Sequence, residues 1–178
     1  KNLFLSISTT TRKKRPNEIS GKDYNFVTVT EFKKKLNKNN FLEHASVFDN
    51  FYGTDKSFVE NKINQGKDLL FDIDWQGAQQ LREKMREDIV SVFILPPSKK
   101  ELESRLKKRG QDANEVVKKR MDGASSEITH WAEYDYVIIN DDLNDSVKTV
   151  LGILKAERMK RIRQIGLGKF VRSINFDS

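Results

Sequence analysis

A polar stretch near the start of the chain is rich in side chains that bind phosphate. The stretch, STTTRKKRPNEISGKDY, carries Arg12 and Arg15 three positions apart, with Ser8 at its beginning and Tyr24 at its end. Guanidinium groups match phosphate oxygens bidentately and keep their charge at any working pH. We predict that this loop binds a phosphate monoester, although the run taken alone also fits a solvated basic loop.

A second candidate group lies in FLEHASVFDNFYGT, residues 41–54. Alternation along a strand puts Glu43 on the face opposite Leu42, beside a second strand that ends in Tyr52 and Thr54. A carboxylate can accept two parallel hydrogen bonds from N1–H and the 2-amino group of guanine, and the Thr54 hydroxyl can donate to O6; adenine presents the wrong pattern. This predicts a guanine site. The alternative is that Glu43 is an exposed strand residue and Tyr52 a core aromatic.

Two acidic residues follow an apolar run in LLFDIDWQG. Asp72 and Asp74 are two positions apart, which predicts that both lie on one side of the carboxyl end of a strand, where the ligands of open α/β sheets bind. A strand ending in aspartate is also typical of phosphoryl-transfer sites that hold Mg²⁺ through water. We predict a functional role for the pair, since the alternative, a helix N-cap at Asp74, explains only one of the two.

A group of arginines in SKKELESRLKKRGQDANEVVKKRM is the fourth candidate. Arg105 and Arg109 are four positions apart on one predicted helix, and Arg120 follows on the next. Converging arginines stabilise charge on a transferring phosphoryl group. Taken alone, however, a basic amphipathic helix is more often a solvated surface.

The elements that would position these side chains alternate between strands and helices over much of the chain. Near-continuous apolar runs at residues 69–73, 90–95 and 136–139 predict strands buried on both faces of a parallel sheet. Helical patterns follow them, and a last helix from about residue 145 to 163 is expected to bury Val147, Leu151 and Leu154. The alternation indicates an α/β fold with a parallel-sheet core.

The segment from about residue 12 to 66 interrupts this alternation with short strands and small helices. Thr30 is the predicted N-cap of one helix, Asp55 is that of another, and Gly66 ends the second. The segment is therefore predicted to be an insertion over the sheet.

The composition limits the classes of protein that fit. The 178 residues carry a net charge of +7 and no cysteine, which favours a polyanionic partner and excludes disulfides and thiolate metal sites. No apolar run of about 18 residues occurs, and the first residues do not resemble a secretory signal. We expect a cytoplasmic protein that does not span a membrane.

Taken together, these segments resemble the guanylate kinase family over essentially the whole chain. The resemblance is carried by STTTR-x-x-R-x-x-E-x-x-G-x-x-Y, FLEHA with FYGT, DIDWQGAQQ, ILPPS, RLKKRGQD, KRM and YDYVIINDD. It implies a parallel-sheet P-loop nucleoside monophosphate kinase core with an inserted small mixed β-sheet subdomain and a helical lid. The implied enzyme transfers the γ-phosphoryl group of ATP to GMP in purine nucleotide metabolism, with Mg²⁺ on the ATP. It would be a monomer or homodimer without nucleic-acid or membrane partners.

The resemblance also implies residue roles and segment boundaries. The residues expected to bind GMP are Ser8, Arg12, Arg15, Glu18, Tyr24, Glu43, Tyr52, Gly53, Thr54, Asp72 and Asp74. The catalytic residues expected to close over ATP are Arg105, Arg109 and Arg120, with Asn140 near the adenine. No direct metal ligand is expected, and the one candidate contact is Asp72 through water. A single domain is expected, with core at 1–11 and 67–97, the GMP-binding subdomain at 12–66, the lid at 98–126, and core with a C-terminal helix at 127–178.

The chain departs from the family pattern in one respect. It contains no G-x-x-x-x-G-K-[ST], so a βα unit of roughly 30 residues is expected to be absent from the residues given. This departure favours one alternative, a catalytically inactive guanylate-kinase-like module that binds proteins. Two further alternatives stay open for other reasons: a related kinase acting on a phosphorylated sugar, and nucleic-acid binding through the basic C-terminal helix.

Overall fold

The computed structural model describes residues 2–108 and 114–174, without the side chains of residues 114–116. The chain divides into two compact units, Lys1–Ile89 and Val90–Ser178. Parallel and mixed sheets with helices make up the α/β architecture that the apolar runs predict.

The first unit is built around a mixed sheet. Its elements are β1 (Leu3–Leu5), β2 (Thr9–Thr10), β3 (Asn25–Phe26), α1 (Val29–Asn37), β4 (Phe41–Val47), β5 (Asn50–Asp55), α2 (Lys56–Asn64), β6 (Asp68–Leu70) and α3 (Trp75–Met85). The mixed sheet has the order β3-β2-β5-β4, with β2 and β3 parallel and the other two pairs antiparallel. Strands β1 and β6 form a separate parallel pair.

Local capping fixes where the helices of this unit begin. Thr28 and Glu31 form a capping box at α1, in which each side chain accepts a hydrogen bond from the backbone N–H of the other. The prediction of Thr30 as the N-cap is wrong, because a capping box needs an acid three residues after the cap. Asp55 caps α2 as predicted, and Gly66 follows that helix with a φ of 67°, the left-handed conformation common after a helix end.

The hydrophobic core of the first unit lies against β4. Leu42, Val59 and Leu81 form its buried cluster, and burial of each such side chain contributes roughly 1.5–3 kcal/mol. Phe32 stacks on Phe41 with ring centroids 4.5 Å apart. The expectation that Glu43 lies on the face opposite Leu42 is wrong, because a register irregularity between Phe41 and Glu43 interrupts the alternation of β4. Leu42 packs with Leu81 and Glu43 lies against Gly77, and both of these partners are on α3.

The strand predicted at residues 69–73 is shorter than expected. β6 ends at Leu70, and the following residues have no regular structure up to Asp74, the N-cap of α3. The Asp74 carboxylate accepts a hydrogen bond from the Gly77 N–H at 3.1 Å. The strand therefore ends before Asp74, which caps α3.

The second unit has a two-stranded parallel sheet and four helices among its described residues. Its elements are β7 (Val92–Leu95), α4 (Lys99–Lys108), α5 (Asn114–Ile128), β8 (Tyr136–Ile139), α6 (Leu143–Met159) and α7 (Leu167–Ser173), with 3₁₀ turns at Thr129–Glu133 and Arg161–Arg163. The Asp135 carboxylate accepts hydrogen bonds from the Ser91 N–H and hydroxyl, both at 2.7 Å, and so ties the two strands together where they start.

Glu157 anchors the end of α6 to β8. Its carboxylate accepts a hydrogen bond from the Tyr136 hydroxyl at 2.6 Å and lies 2.7 Å from the Lys160 ammonium. These two contacts, Lys160 first, hold the pKa of the buried Glu157 below its ordinary value.

The second unit differs from the expectations in three respects. Helix α6 begins at Leu143 rather than near 145, because Asp142 caps it by accepting from the Asp145 N–H. Val147 and Leu151, expected to be buried, are 49% and 45% exposed, and the apolar strands, expected to be covered on both faces, leave residues such as Ile139 exposed. Apolar periodicity identifies a face of an element, but it does not specify what covers that face.

Candidate functional site

The interior strand β5 of the mixed sheet organises the candidate site. β5 pairs with β4 so that Glu43 lies opposite Thr54, and with β2 so that Thr10 lies opposite Tyr52. Residues directly opposite each other share a face of a sheet, as do residues two apart along a strand. Glu43, Thr54 and Tyr52 therefore lie on one face of this sheet, which we call the acceptor face.

Glu43 is a buried carboxylate on the acceptor face. Only 2% of it is exposed, and the fully buried Thr54 donates its hydroxyl hydrogen to Glu43 Oε1 at 2.5 Å. Burial raises the pKa of Glu43, and Asp74 raises it further, while the Thr54 hydrogen bond and the charge of Lys84 oppose the increase. The alternative of an exposed strand residue is wrong, and the group is a strong, desolvated hydrogen-bond acceptor.

The geometry of Thr54 bears on its predicted role. A hydroxyl has a single proton to donate, and in this structure Thr54 gives it to Glu43. Donation to a guanine O6 would require the hydroxyl to leave that bond. The observed contact holds one oxygen of Glu43 in place.

The phosphate-binding candidates form an ionic cluster in the loop after β2. Arg12 makes a forked pair with Glu18, at 2.6 and 3.1 Å, and the Arg15 backbone N–H donates to the same carboxylate at 2.8 Å. The Arg12 hydrogen bond lowers the pKa of Glu18. Burial lowers the pKa of Arg12, but contact with Glu18 more than compensates and leaves it raised. Both groups therefore stay charged near neutral pH.

The cluster has donor capacity for an anion. A guanidinium carries five N–H donors. The Arg12 guanidinium donates twice to Glu18 and once to the Lys13 carbonyl, and Tyr52 is a further hydrogen-bond partner. Arg15 lies 3.6 Å from Glu18 through its own guanidinium. One carboxylate thus holds two guanidinium groups side by side, in an arrangement suited to a phosphate.

Two tyrosines connect this cluster to the acceptor face. The Tyr24 and Tyr52 rings meet edge to face with centroids 6.0 Å apart, and the Arg12 guanidinium lies over the Tyr24 ring at 5.3 Å. Tyr52 lies close enough to Arg12 to raise its pKa. Because Tyr52 is two residues from Thr54, the arginine cluster and Glu43 adjoin the same face of one sheet.

Two further candidates have structural contacts of their own. Ser8 is buried, and its carbonyl accepts a hydrogen bond from the Asn25 N–H at 2.9 Å, joining β2 to β3. Gly53 lies on β5 between Thr9 and His44. A Cβ there would be 2.9 Å from the Phe41 ring, so glycine is needed for packing at this position.

Sequence reasoning missed how the loop is attached to the sheet. The Thr10 hydroxyl donates to the Phe51 carbonyl at 3.0 Å and accepts from the Arg12 N–H at 3.1 Å. The Thr11 hydroxyl accepts from the Phe51 N–H at 2.9 Å. The run of three threonines before Arg12 was the available signal, and it indicates anchoring to β5 as well as ligand binding.

The structure separates Asp72 and Asp74. Asp74 is half-buried, caps α3 and accepts from the Gln76 side chain at 2.8 Å, whereas Asp72 is exposed. Both follow the end of β6 rather than lying within a strand, so strand alternation does not set their directions. The N-cap interpretation of Asp74 is confirmed.

The second unit brings together some of the residues expected to bind ATP. Arg105 donates to Glu101 at 2.8 Å and to the Asp141 carbonyl at 3.3 Å, beside Asn140 at the end of β8. The Asn140 side chain accepts from the Ser146 hydroxyl at 3.1 Å. Arg120 is half-buried on α5, and Arg109 lies outside the described residues.

No helix in the described part of the chain is long and apolar enough to cross a membrane. Among the same residues, no group of three or more histidine, cysteine or acidic side chains could hold a metal ion.

Comparisons with known proteins agree on one family. The family model described as guanylate kinase matches residues 1–157. The guanylate kinase of Paramagnetospirillum magneticum is 55% identical over 97% of this chain and 80% of its own, and that of Zymomonas mobilis is 56% identical with the same coverage. The crystal structure of guanylate kinase from Anaplasma phagocytophilum is similar with a TM-score of 0.84 and 42% identity, over 97% of this chain and 85% of that one.

Proposed function

The chain belongs to the guanylate kinase family and transfers the γ-phosphoryl group of ATP to GMP, giving GDP and ADP, and we propose that the acceptor face and the arginine cluster beside it form its GMP site. The observation that carries this proposal is the placement of a buried carboxylate and two guanidinium groups beside one face of one sheet.

The acceptor face supplies the groups that guanine requires. The N1–H and 2-amino group of guanine are adjacent donors, and the ionised Glu43 carboxylate can accept from both. Asp74, whose charge acts on Glu43, and the exposed Asp72 are the further carboxylates that we assign to the base. Adenine presents an unprotonated N1 at the corresponding position, and a buried carboxylate would face a lone pair there.

The arginine cluster supplies the groups that the phosphate requires. We assign Arg12 and Arg15 as forked donors to the phosphate oxygens, with hydroxyls from Ser8, Tyr24 and Tyr52 as neutral donors. Glu18 would hold the two guanidinium groups in place rather than contact the phosphate, because a carboxylate repels a phosphate.

The transfer needs alignment and charge neutralisation more than bond-making by the protein. An oxygen of the GMP phosphate attacks the γ-phosphorus of ATP, the bond to the bridging oxygen breaks, and ADP leaves with that oxygen. No covalent intermediate is required, because a phosphate monoester is already an adequate nucleophile. We assign Arg105, Arg109 and Arg120 to the charge of the transferring group, and Asn140 to the adenine.

The described residues fit Mg²⁺ carried on ATP. They offer no multi-carboxylate cage, and Mg²⁺ in such enzymes is held mainly by substrate phosphates and water. The exposed Asp72 is the one side chain that we assign to it, through water. When bound, Mg²⁺ neutralises charge on the phosphates.

The other candidate functions have less support. The inactive protein-binding module is not supported, because the matching relatives carry the name of the enzyme over nearly the full chain. A kinase for a phosphorylated sugar would have no use for a buried base acceptor. We further infer a cytoplasmic monomer or homodimer that binds neither nucleic acid nor membrane.

The direct test is calorimetric titration of the full chain and its Glu43→Gln variant with GMP and with ATP. The proposal predicts a large loss of GMP affinity with ATP affinity unchanged. Equal losses for the two nucleotides would remove Glu43 from the GMP site.

A further inference from the structure

Gly77 occupies a helix position where glycine is unfavourable. It is the third residue of α3, is buried, and its φ is not in the left-handed region. Glycine inside a helix is less favourable than alanine by roughly 0.5–1 kcal/mol. Neither backbone conformation nor solvent exposure therefore explains a glycine at this position.

The space around Gly77 supplies the explanation. A Cβ on Gly77 would lie 2.5 Å from Glu43 Oε2, 3.1 Å from Glu43 Cδ and 3.3 Å from Ile73 Cδ1. The nearest atom is the end of a side chain, but Glu43 is buried and its other oxygen is held by Thr54. A methyl group at residue 77 would therefore force the carboxylate out of its present position or α3 away from β4.

The same helix holds the strand that carries Glu43. β4 is an edge strand of the mixed sheet. Three side chains of α3, spaced four residues apart, bind the backbone groups on the outer side of β4. We call these three side chains the edge row: Gln76, Gln80 and Lys84. The Gln80 amide accepts from the His44 N–H at 3.1 Å and donates to the His44 carbonyl at 2.7 Å.

The other two members of the edge row bind positions on either side of His44. Gln76 donates to the Ser46 carbonyl at 3.2 Å, and Lys84 donates to the Leu42 carbonyl. The bonded positions, 42, 44 and 46, alternate along β4. Because Glu43 lies between two of them, the edge row fixes the backbone that aims its carboxylate.

We propose that Gly77 and Gln80 are positioning residues for guanine selectivity: Gly77 leaves the space that the Glu43 carboxylate occupies, and Gln80 clamps β4 beside it. This inference rests on the proposed GMP site. Neither residue contacts the base, and both act through Glu43.

The test compares GMP with inosine monophosphate, which keeps N1–H and O6 but lacks the 2-amino group. Their affinity ratio reports on the second hydrogen bond to Glu43. In calorimetric titrations of the full chain, Gly77→Ala should weaken GMP binding about tenfold or more, as expected when a hydrogen bond to a charged group is lost. The ratio of the affinity for GMP to the affinity for inosine monophosphate should fall toward the value measured for Glu43→Ala.

Gly152→Ala is the matched control. Gly152 also lies inside a helix, α6, and a Cβ there would meet nothing within 4 Å. This control should leave both affinities unchanged. If Gly77→Ala weakens the binding of GMP and of inosine monophosphate equally, or if it behaves like the control, the inference about Gly77 is wrong.

Two further variants keep the test decisive if Gly77→Ala does not fold. The double variant Glu43→Ala/Gly77→Ala should fold, because the Glu43 carboxylate that the methyl group would displace is no longer there. An unfolded double variant would show that Gly77 is needed only for packing. Gln80→Ala should lower the affinity ratio with little change in ATP affinity, and an unchanged ratio would refute the clamp.

The proposed function and this inference fail differently. If Glu43→Ala leaves GMP binding intact, the GMP site itself is wrong. If Glu43→Ala abolishes selectivity while Gly77→Ala and Gln80→Ala preserve it, only the positioning role is wrong.

Discussion

Replacing Glu43 by glutamine should weaken GMP binding and change how stability depends on pH. The variant keeps the size of the side chain and one acceptor oxygen, which Thr54 now holds at 2.5 Å. It loses a hydrogen bond between guanine and a charged acceptor, worth about 1.5–3 kcal/mol, and leaves a guanine donor facing an amide N–H. We expect a combined loss of about 2–4 kcal/mol, or roughly thirty- to a thousandfold in Kd.

The stability effect follows from the pKa of Glu43 in the folded chain. Burial raises that pKa above its ordinary value of 4.5, so the folded protein binds this proton more readily than the unfolded protein does. The free energy of unfolding that Glu43 contributes is therefore highest at low pH and falls as pH rises from 4.5 through the raised pKa. Glutamine does not titrate, so the stability of the variant relative to the native chain should increase over the same interval.

Two measurements check this reasoning. Titration with GMP and ATP at neutral pH measures the binding loss, and urea denaturation of both proteins at several pH values measures the stability difference. A difference in unfolding free energy that stays constant with pH would show that Glu43 is not destabilised by burial. GMP affinity within threefold of the native chain would show that no charged acceptor faces the base.

Further predictions follow from the same contacts. GMP affinity should weaken as pH falls through the raised pKa of Glu43, because binding requires the ionised carboxylate. Titrations at several pH values should show this weakening in the native chain but not in Glu43→Gln. The same dependence on pH in both proteins would contradict the prediction. Arg12→Lys should weaken GMP about ten- to a hundredfold, because an ammonium group cannot form the fork that Arg12 now makes with Glu18; unchanged affinity in the same assay would place the phosphate elsewhere. Glu157→Gln should lower the free energy of unfolding by about 1–2 kcal/mol at pH 7, because it removes the charge that Lys160 and Tyr136 contact. Since the pKa of Glu157 is lowered, the loss should shrink in urea denaturation as pH falls below the ordinary value, and a pH-independent loss would refute the assignment.

Prediction from the sequence worked best for features that depend on the type of a residue and on its near neighbours in the chain. The sequence predicted that the strand of Glu43 lies beside the strand of Tyr52 and Thr54, and the two strands do pair. The alternation assumed for Leu42 and Glu43 was wrong, because an irregularity in β4 falls between Phe41 and Glu43. Asp55 was recognisable as a cap from its residue type alone. The anion site in the loop of Arg12 and Arg15 stays a prediction, and the structure shows that one carboxylate, Glu18, contacts both guanidinium groups.

Other features depend on contacts between distant residues and could not be predicted in this way. Gly77 looks like an ordinary helix residue until α3 is placed against Glu43, 34 positions earlier in the chain. Asp72 and Asp74 looked equivalent because the end of β6 was not visible in the apolar run. Val147 was expected to be buried because its helix is amphipathic, but periodicity does not identify a partner.

The bonds between α3 and β4 also have a consequence for solubility. An edge strand normally presents unpaired N–H and C=O groups that can recruit a strand from another molecule. Along β4 the outward groups at three alternate positions are already bonded to side chains of the neighbouring helix, and the amide of Gln80 binds His44 much as a further strand would. The border of the sheet that holds Glu43 is thus closed to intermolecular strand addition by side chains of the protein itself.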